Sequence, residues 1–259
     1  MTNENIEKIP GYLLFSKIGK KVLRPGGKML TEKMLADLNI SHSDRVVEFA
    51  PGFGFTAKLV HTKAPKSYLG IEMNEDAVNY LSKKFQTQAY SFVVGNASNT
   101  FLENFSVDKI YGEAMLSMQT DKRKSEIIKE AVRILVNGGL YAIHELGLRC
   151  SDENIKIEIQ KELASSLKVN ARPLTVNEWS FLLEKEGFKI LKIETNNMRL
   201  LTFRTIISDE GFLGFLKIFS KIIFQSKIRR RIQHIRKTFI KYENHLCGIT
   251  IIAEKISIP

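Results

Sequence analysis

The chain has 259 residues, 44% of them hydrophobic and 26% charged. This is ordinary globular composition and excludes a largely disordered polymer. The net charge of +11 is local: residues 211–242 hold nine Lys and Arg and no Asp or Glu, and the rest of the chain has 30 basic against 28 acidic residues.

A chain this long hides roughly 70 to 75% of its unfolded surface. One domain over 1–259 is therefore expected, with any insertion carried inside it. The start, "MTNENIEKIPGYLLFSKIGKK", is polar and acidic before a short apolar run, and does not read as a signal peptide. Residues 1–40 are expected to form an N-terminal helical cap, with "MLTEKMLADL" (29–38) as its second part. "RVVEFA" (45–50) is too short and too apolar for a surface helix and is predicted to be a buried strand. A Gly-Phe-Gly turn follows, then "TAKLVHTKA" as a helix. "SYLGIEM" (67–73) is a second strand. "NEDAVNYLSKKF" (74–85) is a helix whose acidic first turn and basic last turn suit the macrodipole.

"YSFVVGNAS" supplies a third strand and its loop, and "VDKIYGEAML" a fourth strand. "RKSEIIKEAVRILVNGG" is predicted to be a helix closed by Gly138 and Gly139, before the fifth strand "LYAIHEL". "SDENIKIEIQKELASSL" is helical. "LTVNEWSFLLEKEGF" carries a capping box, Thr175 with Glu178, and is stopped by Gly187. "KILKIETNN" and "LCGITIIAEKI" are late strands, and the basic segment lies between them as an insertion over 198–245. Strand–helix alternation with short connections argues a parallel sheet flanked by helices. Cys150 and Cys247 form no disulfide framework and no zinc pattern, and no stretch reaches the roughly 18 apolar residues of a membrane span. A reducing cytoplasm is the expected compartment.

In a parallel sheet, ligands bind beyond the carboxyl ends of the strands, where strand order reverses. Those ends read Glu48 to Gly54, then Glu72, then Asn96 to Ser98, then Glu113 to Met115. Gly52 and Gly54 let backbone approach a ligand closely. Glu72 can accept both hydroxyls of a ribose. Asn96 can read an adenine amino group or ring nitrogen. Glu48 can accept from a cationic amine or hold the turn.

With these residues the sequence resembles the class I S-adenosylmethionine-dependent methyltransferases. Their acidic–x–Gly–x–Gly–x–Gly motif corresponds here to Glu48-Phe49-Ala50-Pro51-Gly52-Phe53-Gly54, with Ala50 in place of the first glycine. Their ribose carboxylate corresponds to Glu72, and their Gly-Asp-Ala loop to Gly95-Asn96-Ala97. The resemblance implies a doubly wound, mostly parallel, seven-stranded Rossmann-like sheet with an antiparallel final pair. It implies S-adenosyl-L-methionine as cofactor, bound by Glu48, Ala50, Gly52, Gly54, Glu72, Met73, Asn96, Ala97, Ser98 and Glu113. His144 and Glu145, on the fifth-strand rim, are the candidate catalytic bases. In related small-molecule enzymes the N-terminal stretch closes over the cofactor, which brings in Tyr12, Arg24, Gly27 and Lys28.

The fourth-strand end, "GEAMLSMQ", is neither Asn/Asp-Pro-Pro-Tyr nor Pro-Cys, so DNA base methylation is not expected. A small-molecule acceptor, apolar or membrane-associated, is the expected substrate, with an RNA methyltransferase as one alternative. A second is an NAD(P)-dependent oxidoreductase, because Gly52 to Ala57 also fits G-x-G-x-x-A and Glu72 lies about 20 residues on. In the basic insertion, Phe212, Leu216, Phe219 and Ile223 fall at helical spacing, and so do Ile228, Ile232, Ile235 and Phe239. Both stripes are expected to pack on the sheet edge as a lid or a homodimer contact. Peripheral membrane or RNA contact through 211–242 is the other use of its charge.

Overall fold

The computed structural model describes residues 6–20, 24–198 and 203–256. Parts of the expected N-terminal cap (1–5, 21–23) and of the expected insertion (199–202) lie outside the described residues. Two helices open the fold, α1 (Gly11–Ile18) and α2 (Lys28–Leu38). Strand–helix alternation follows: β1 (Arg45–Phe49), α3 (Phe55–His61), β2 (Ser67–Glu72), α4 (Glu75–Lys84), β3 (Tyr90–Val94), β4 (Val107–Glu113), α5 (Asp121–Ile134) and β5 (Leu135–Leu148). The rest is α6 (Glu153–Leu167), a two-residue β6 (Leu174–Thr175), α7 (Val176–Lys185), β7 (Phe188–Asn197), α8 (Phe203–Phe224), α9 (Ser226–Lys241) and β8 (Leu246–Lys255).

The sheet order is β3-β2-β1-β4-β5-β8-β7, with β6 added beside β5. β1 to β5 pair in parallel, and β8 runs antiparallel to both β5 and β7. This is the doubly wound, mostly parallel sheet that the sequence implied, with β6 as an extra short strand. Order reverses between β1 and β4, so the carboxyl ends of those strands open a crevice.

Both sheet faces are covered. On one, Phe49, Ile110 and Ile143 pack with Ile127, Ile128 and Ala131 of α5 and with Trp179 and Leu183 of α7. On the other, Val46, Tyr68 and Tyr111 pack with α2, α3 and α4 through Met34, Val60 and Leu81. A third cluster joins Leu14, Phe15 and Ile18 of α1 to Leu163 of α6 and to the inner stripe of α9, Ile228, Ile232, Ile235 and Phe239. The capping box at Thr175 and Glu178 forms as expected.

Two expectations need correction. Helix α5 ends at Ile134, not at the Gly138-Gly139 pair. Leu135 is already extended and pairs with Val107, and pairing resumes at Lys109 with Leu140 after a register shift. Gly138, at φ 72°, therefore serves an irregularity inside β5 rather than a helix cap. The second correction concerns α8. Its expected core stripe, Phe212, Leu216, Phe219 and Ile223, faces solvent, while Ile218 is buried. Apolar side chains occur around most of this helix, so their spacing does not select which side docks.

Candidate active site

The β1–α3 turn takes its shape from three left-handed residues: Ala50 (φ 56°), Gly52 (φ 55°) and Gly54 (φ 71°). Ala50 follows the path a glycine would take and bears the cost of a Cβ in that region, about 1–2 kcal/mol. A Cβ on Gly54 would lie 2.3 Å from Leu81 Cδ2, so close packing of the turn on α4 demands glycine there. A Cβ on Gly52 would meet no atom within 4 Å, because that face opens into a cavity of about 800 Å³. Glu72, at the end of β2, accepts from the Gly52 N–H and the Asn74 N–H, both at 3.0 Å. Its carboxylate is thereby aimed along the cavity wall.

Beneath the turn, Glu48 is buried, and its Oε2 accepts from the hydroxyls of Tyr68 and Tyr111, the latter at 2.7 Å. Burial pushes its carboxyl up to about 8, against the opposing pull of those hydrogen bonds. Glu48 thus holds a proton near neutral pH.

Glu113 ends β4 and gathers four neighbours. Thr31 Oγ1 donates to Oε2 at 2.6 Å, His144 Nδ1 lies 2.6 Å from the same oxygen, and Thr56 donates to Oε1. Burial raises the Glu113 carboxyl, but His144, Arg24 and Thr31 outweigh it and hold it at about 2. Arg24 is only 2% exposed, with its Cζ 3.9 Å over the Phe55 ring. Neither Nη of Arg24 has a hydrogen-bond partner among the described residues, and the side chain lines the cavity. The loop that delivers it is pinned from below. His144 Nε2 donates to Pro25 O at 2.5 Å, and Asn196 Nδ2 donates to Gly26 O at 2.8 Å. Gly248 of β8 lets that loop cross, since a Cβ there would sit 2.4 Å from Pro25 O.

At the third strand end, Asn96 Oδ1 accepts from Ser98 N and Ser98 Oγ. With the oxygen engaged, the Asn96 amide is left with its N–H groups as donors, and the residue lines the cavity. A small apolar pocket of about 50 Å³ adjoins the main cavity and shares Tyr12, Ala114, Met118 and Val169 with it.

Residues 47–143, the stretch that carries these strand ends, match the family model described as a methyltransferase domain. Over these residues the chain is similar to methyltransferase domains. An uncharacterized protein of Haemophilus influenzae (strain KW20 / Rd) is 28% identical over 254 residues, 95% of this chain and 98% of its own. Two solved structures share the fold at low identity. The cyclopropane synthase MmaA2 from Mycobacterium tuberculosis has a TM-score of 0.72 at 11% identity, covering 97% of this chain and 99% of its own. The Haemonchus contortus phosphoethanolamine N-methyltransferase 2, in complex with phosphomonomethylethanolamine and S-adenosylhomocysteine, has a TM-score of 0.69 at 16% identity. The alignment covers 95% of this chain and 57% of that one.

The fold brings most of the expected residues to one cavity. Glu48, Ala50, Gly52, Glu72, Met73, Asn96, Ala97 and Glu113 line it. Gly54 shapes the turn from outside, and Ser98 braces Asn96. Of the N-terminal candidates, Tyr12 and Arg24 line the cavity. Gly27 precedes α2 instead, and Lys28 pairs with Glu32. The two expected bases sit elsewhere. His144 is fully buried, and both ring nitrogens are engaged, Nδ1 at Glu113 and Nε2 at Pro25 O, so neither is turned to a substrate. Glu145 is also fully buried, and its oxygens accept from Met115 N, Leu116 N, Ser117 N and Ser117 Oγ at 2.7–2.9 Å. These two side chains build the rim rather than line it. Sequence reasoning missed Thr31, Thr56, Tyr68 and Tyr111. Each reads as an ordinary helix or strand residue, and only sheet register and helix docking point them at Glu48 and Glu113.

Proposed function

We propose that the domain transfers a methyl group from S-adenosylmethionine to a small-molecule acceptor with an apolar part. The observation that carries the reading is the buried Arg24 guanidinium, whose Nη groups have no hydrogen-bond partner among the described residues, on a cavity that the Glu72 carboxylate also lines. β1 separates β2 from β4, so Glu72 and Glu113, the carboxylate that Arg24 acts on, end strands about two spacings apart, roughly 10 Å. An anion receptor and a diol acceptor at that separation suit a nucleoside that carries an amino acid. The cofactor's carboxylate would lie on Arg24, its ribose on Glu72, and its adenine against the donor amide of Asn96. The open face of Gly52 leaves room for the chain between them. The S-adenosylhomocysteine bound by the Haemonchus contortus neighbour supports this choice.

When bound, the cofactor supplies an electrophilic methyl group on a sulfonium. The protein's task is then to align an acceptor and exclude water. Tyr12, Met118 and Val169 line both the cavity and its apolar extension, and they offer the acceptor a dry wall. His144 acts as a positioning residue: it fixes Glu113 on one side and the Arg24 loop on the other. His144→Gln should therefore raise the KM for cofactor while leaving the shape of the pH–rate profile unchanged. Loss of the acidic limb from that profile would restore His144 as the base.

The direct test is titration calorimetry with S-adenosylhomocysteine beside NADH. Micromolar binding of the first alone is expected. Binding of NADH alone would make the domain an oxidoreductase and refute the proposal. Salt-sensitive, high-affinity RNA binding with methyl incorporation into RNA would replace the small-molecule acceptor.

A further inference from the structure

The helical pair between β7 and β8 turns an unusual surface outward. Along α8, Phe212, Leu216, Phe219 and Ile223 form an exposed stripe, with Leu213 and Phe224 at its edge, 81% and 84% exposed. Lys217 and Lys221 flank it at the next helical positions. After a one-residue corner at Gln225, α9 buries its isoleucine stripe and turns Arg229, Arg230, Arg236 and Lys237 away from the body. None of those four, nor Lys217 or Lys227, pairs with a carboxylate among the described residues. Arg231 stands apart: it is buried and donates to the carbonyls of Ile6, Ile9 and Ser166, so it is a structural clamp. No helix among the described residues is long and apolar enough to cross a membrane.

Large apolar side chains in water beside an acid-free basic face are costly unless something covers them. We infer that the outer face of α8 and α9 docks on an anionic phospholipid bilayer, with Leu213, Leu216, Phe219 and Phe224 entering the headgroup–acyl boundary. Charge complementarity selects this occupant. Residues 211–242 hold cations and no acid, Asp209 and Glu210 preceding them at the start of α8, so a symmetric dimer through this face would bring like charges together. RNA would use the cations, but aliphatic Leu213, Leu216 and Ile223 offer bases no stacking platform. A non-spanning helical pair that presents exposed apolar side chains of α8 beside the cations of α9 suits a bilayer interface. The same insertion reaches the acceptor side of the cavity, since Phe239 of α9 lines the apolar pocket. The surface itself lies outside the cofactor site, so this inference holds or fails independently of the proposed chemistry.

The test is vesicle flotation of the full chain, with phosphatidylcholine alone and with about one-third phosphatidylglycerol. Binding to the anionic vesicles at least tenfold above the neutral ones is expected. The double variant Leu213→Ser/Phe224→Ser should lose at least tenfold of it, and Arg230→Gln/Lys237→Gln should lose several-fold and flatten the salt dependence. All four positions are exposed, and unchanged circular dichroism and S-adenosylhomocysteine binding would confirm that the variants fold. Wild-type protein that stays with neither vesicle overturns the inference. So does a dimer that the Leu213/Phe224 variant dissolves, or RNA retention that replaces vesicle binding.

Discussion

Arg24→Met separates ligand recognition from fold stability, because the first should fall sharply while the second changes little. In the free protein both Nη groups are buried without a hydrogen-bond partner, a cost of about 1–3 kcal/mol. The cation recovers part of this over the Phe55 ring, 3.9 Å away, where such contacts are worth about 0.5–2 kcal/mol. Methionine keeps the length, removes the buried donors and retains a sulfur contact with the ring. Methionine also removes the charge that helps hold the Glu113 carboxyl low, which offsets that gain, so free-protein stability in urea is expected to change by no more than about 1 kcal/mol. Binding should suffer. A guanidinium–carboxylate pair loses about 1.5–3 kcal/mol when its donor is removed, so S-adenosylhomocysteine should bind about 100-fold more weakly, near 2.7 kcal/mol. Calorimetry measures this directly. Unfolding with ligand at 100 times the wild-type Kd gives a second reading: the stabilisation should fall from about 2.7 to about 0.4 kcal/mol. A folded variant with unchanged affinity would remove Arg24 from the site. A loss of more than about 2 kcal/mol in the free protein would show that the cation holds the fold instead.

Glu72→Ala should weaken S-adenosylhomocysteine by at least tenfold, about 1.4 kcal/mol. The ribose grip goes, and so does the carboxylate that accepts from the Gly52 N–H; an unchanged Kd would place the ribose elsewhere. Glu48 predicts a pH dependence of stability. Its folded carboxyl is raised to about 8 from 4.5, so its protonated form belongs to the fold. The sign follows: this contribution is full below pH 4.5 and is lost as pH rises towards 8, by at most about 4–5 kcal/mol. Glu48→Gln, which cannot ionise, should remove that slope and exceed wild type at pH 8 by roughly 2 kcal/mol in urea unfolding. Parallel stability curves for the two proteins would mean that Glu48 is ionised in its pocket.

Much of the fold was legible because its signals are local. Strand runs, capping residues and glycine turns act within a few residues, and so β1 to β4, the Thr175 cap and the Gly52–Gly54 turn lie where the sequence predicts them. The end of α5 was misread for the same reason. A Gly-Gly pair stops helices in general, but here β4 captured Leu135 first, and a long-range pairing overrode the local signal. His144 shows the corresponding limit for chemistry. Its place at the end of β5 was correct, yet whether an imidazole on that rim faces a cavity or Pro25 depends on a loop 119 residues earlier.

The sequence by itself determined the α/β alternation, the glycine turn, and the carboxylates and amide that end β1 to β4, because backbone freedom and hydrophobic period are properties of neighbouring residues. Tertiary structure alone decided which of those groups meet the cavity. It brought Arg24 beside Glu113 by threading its loop over Gly248. It placed two tyrosine hydroxyls on Glu48 and so set that group's protonation. It also chose the outward side of α8. Parallel register, loop crossings and the docked face of a helix that is apolar on most sides are fixed by packing between distant segments, and no local pattern records them.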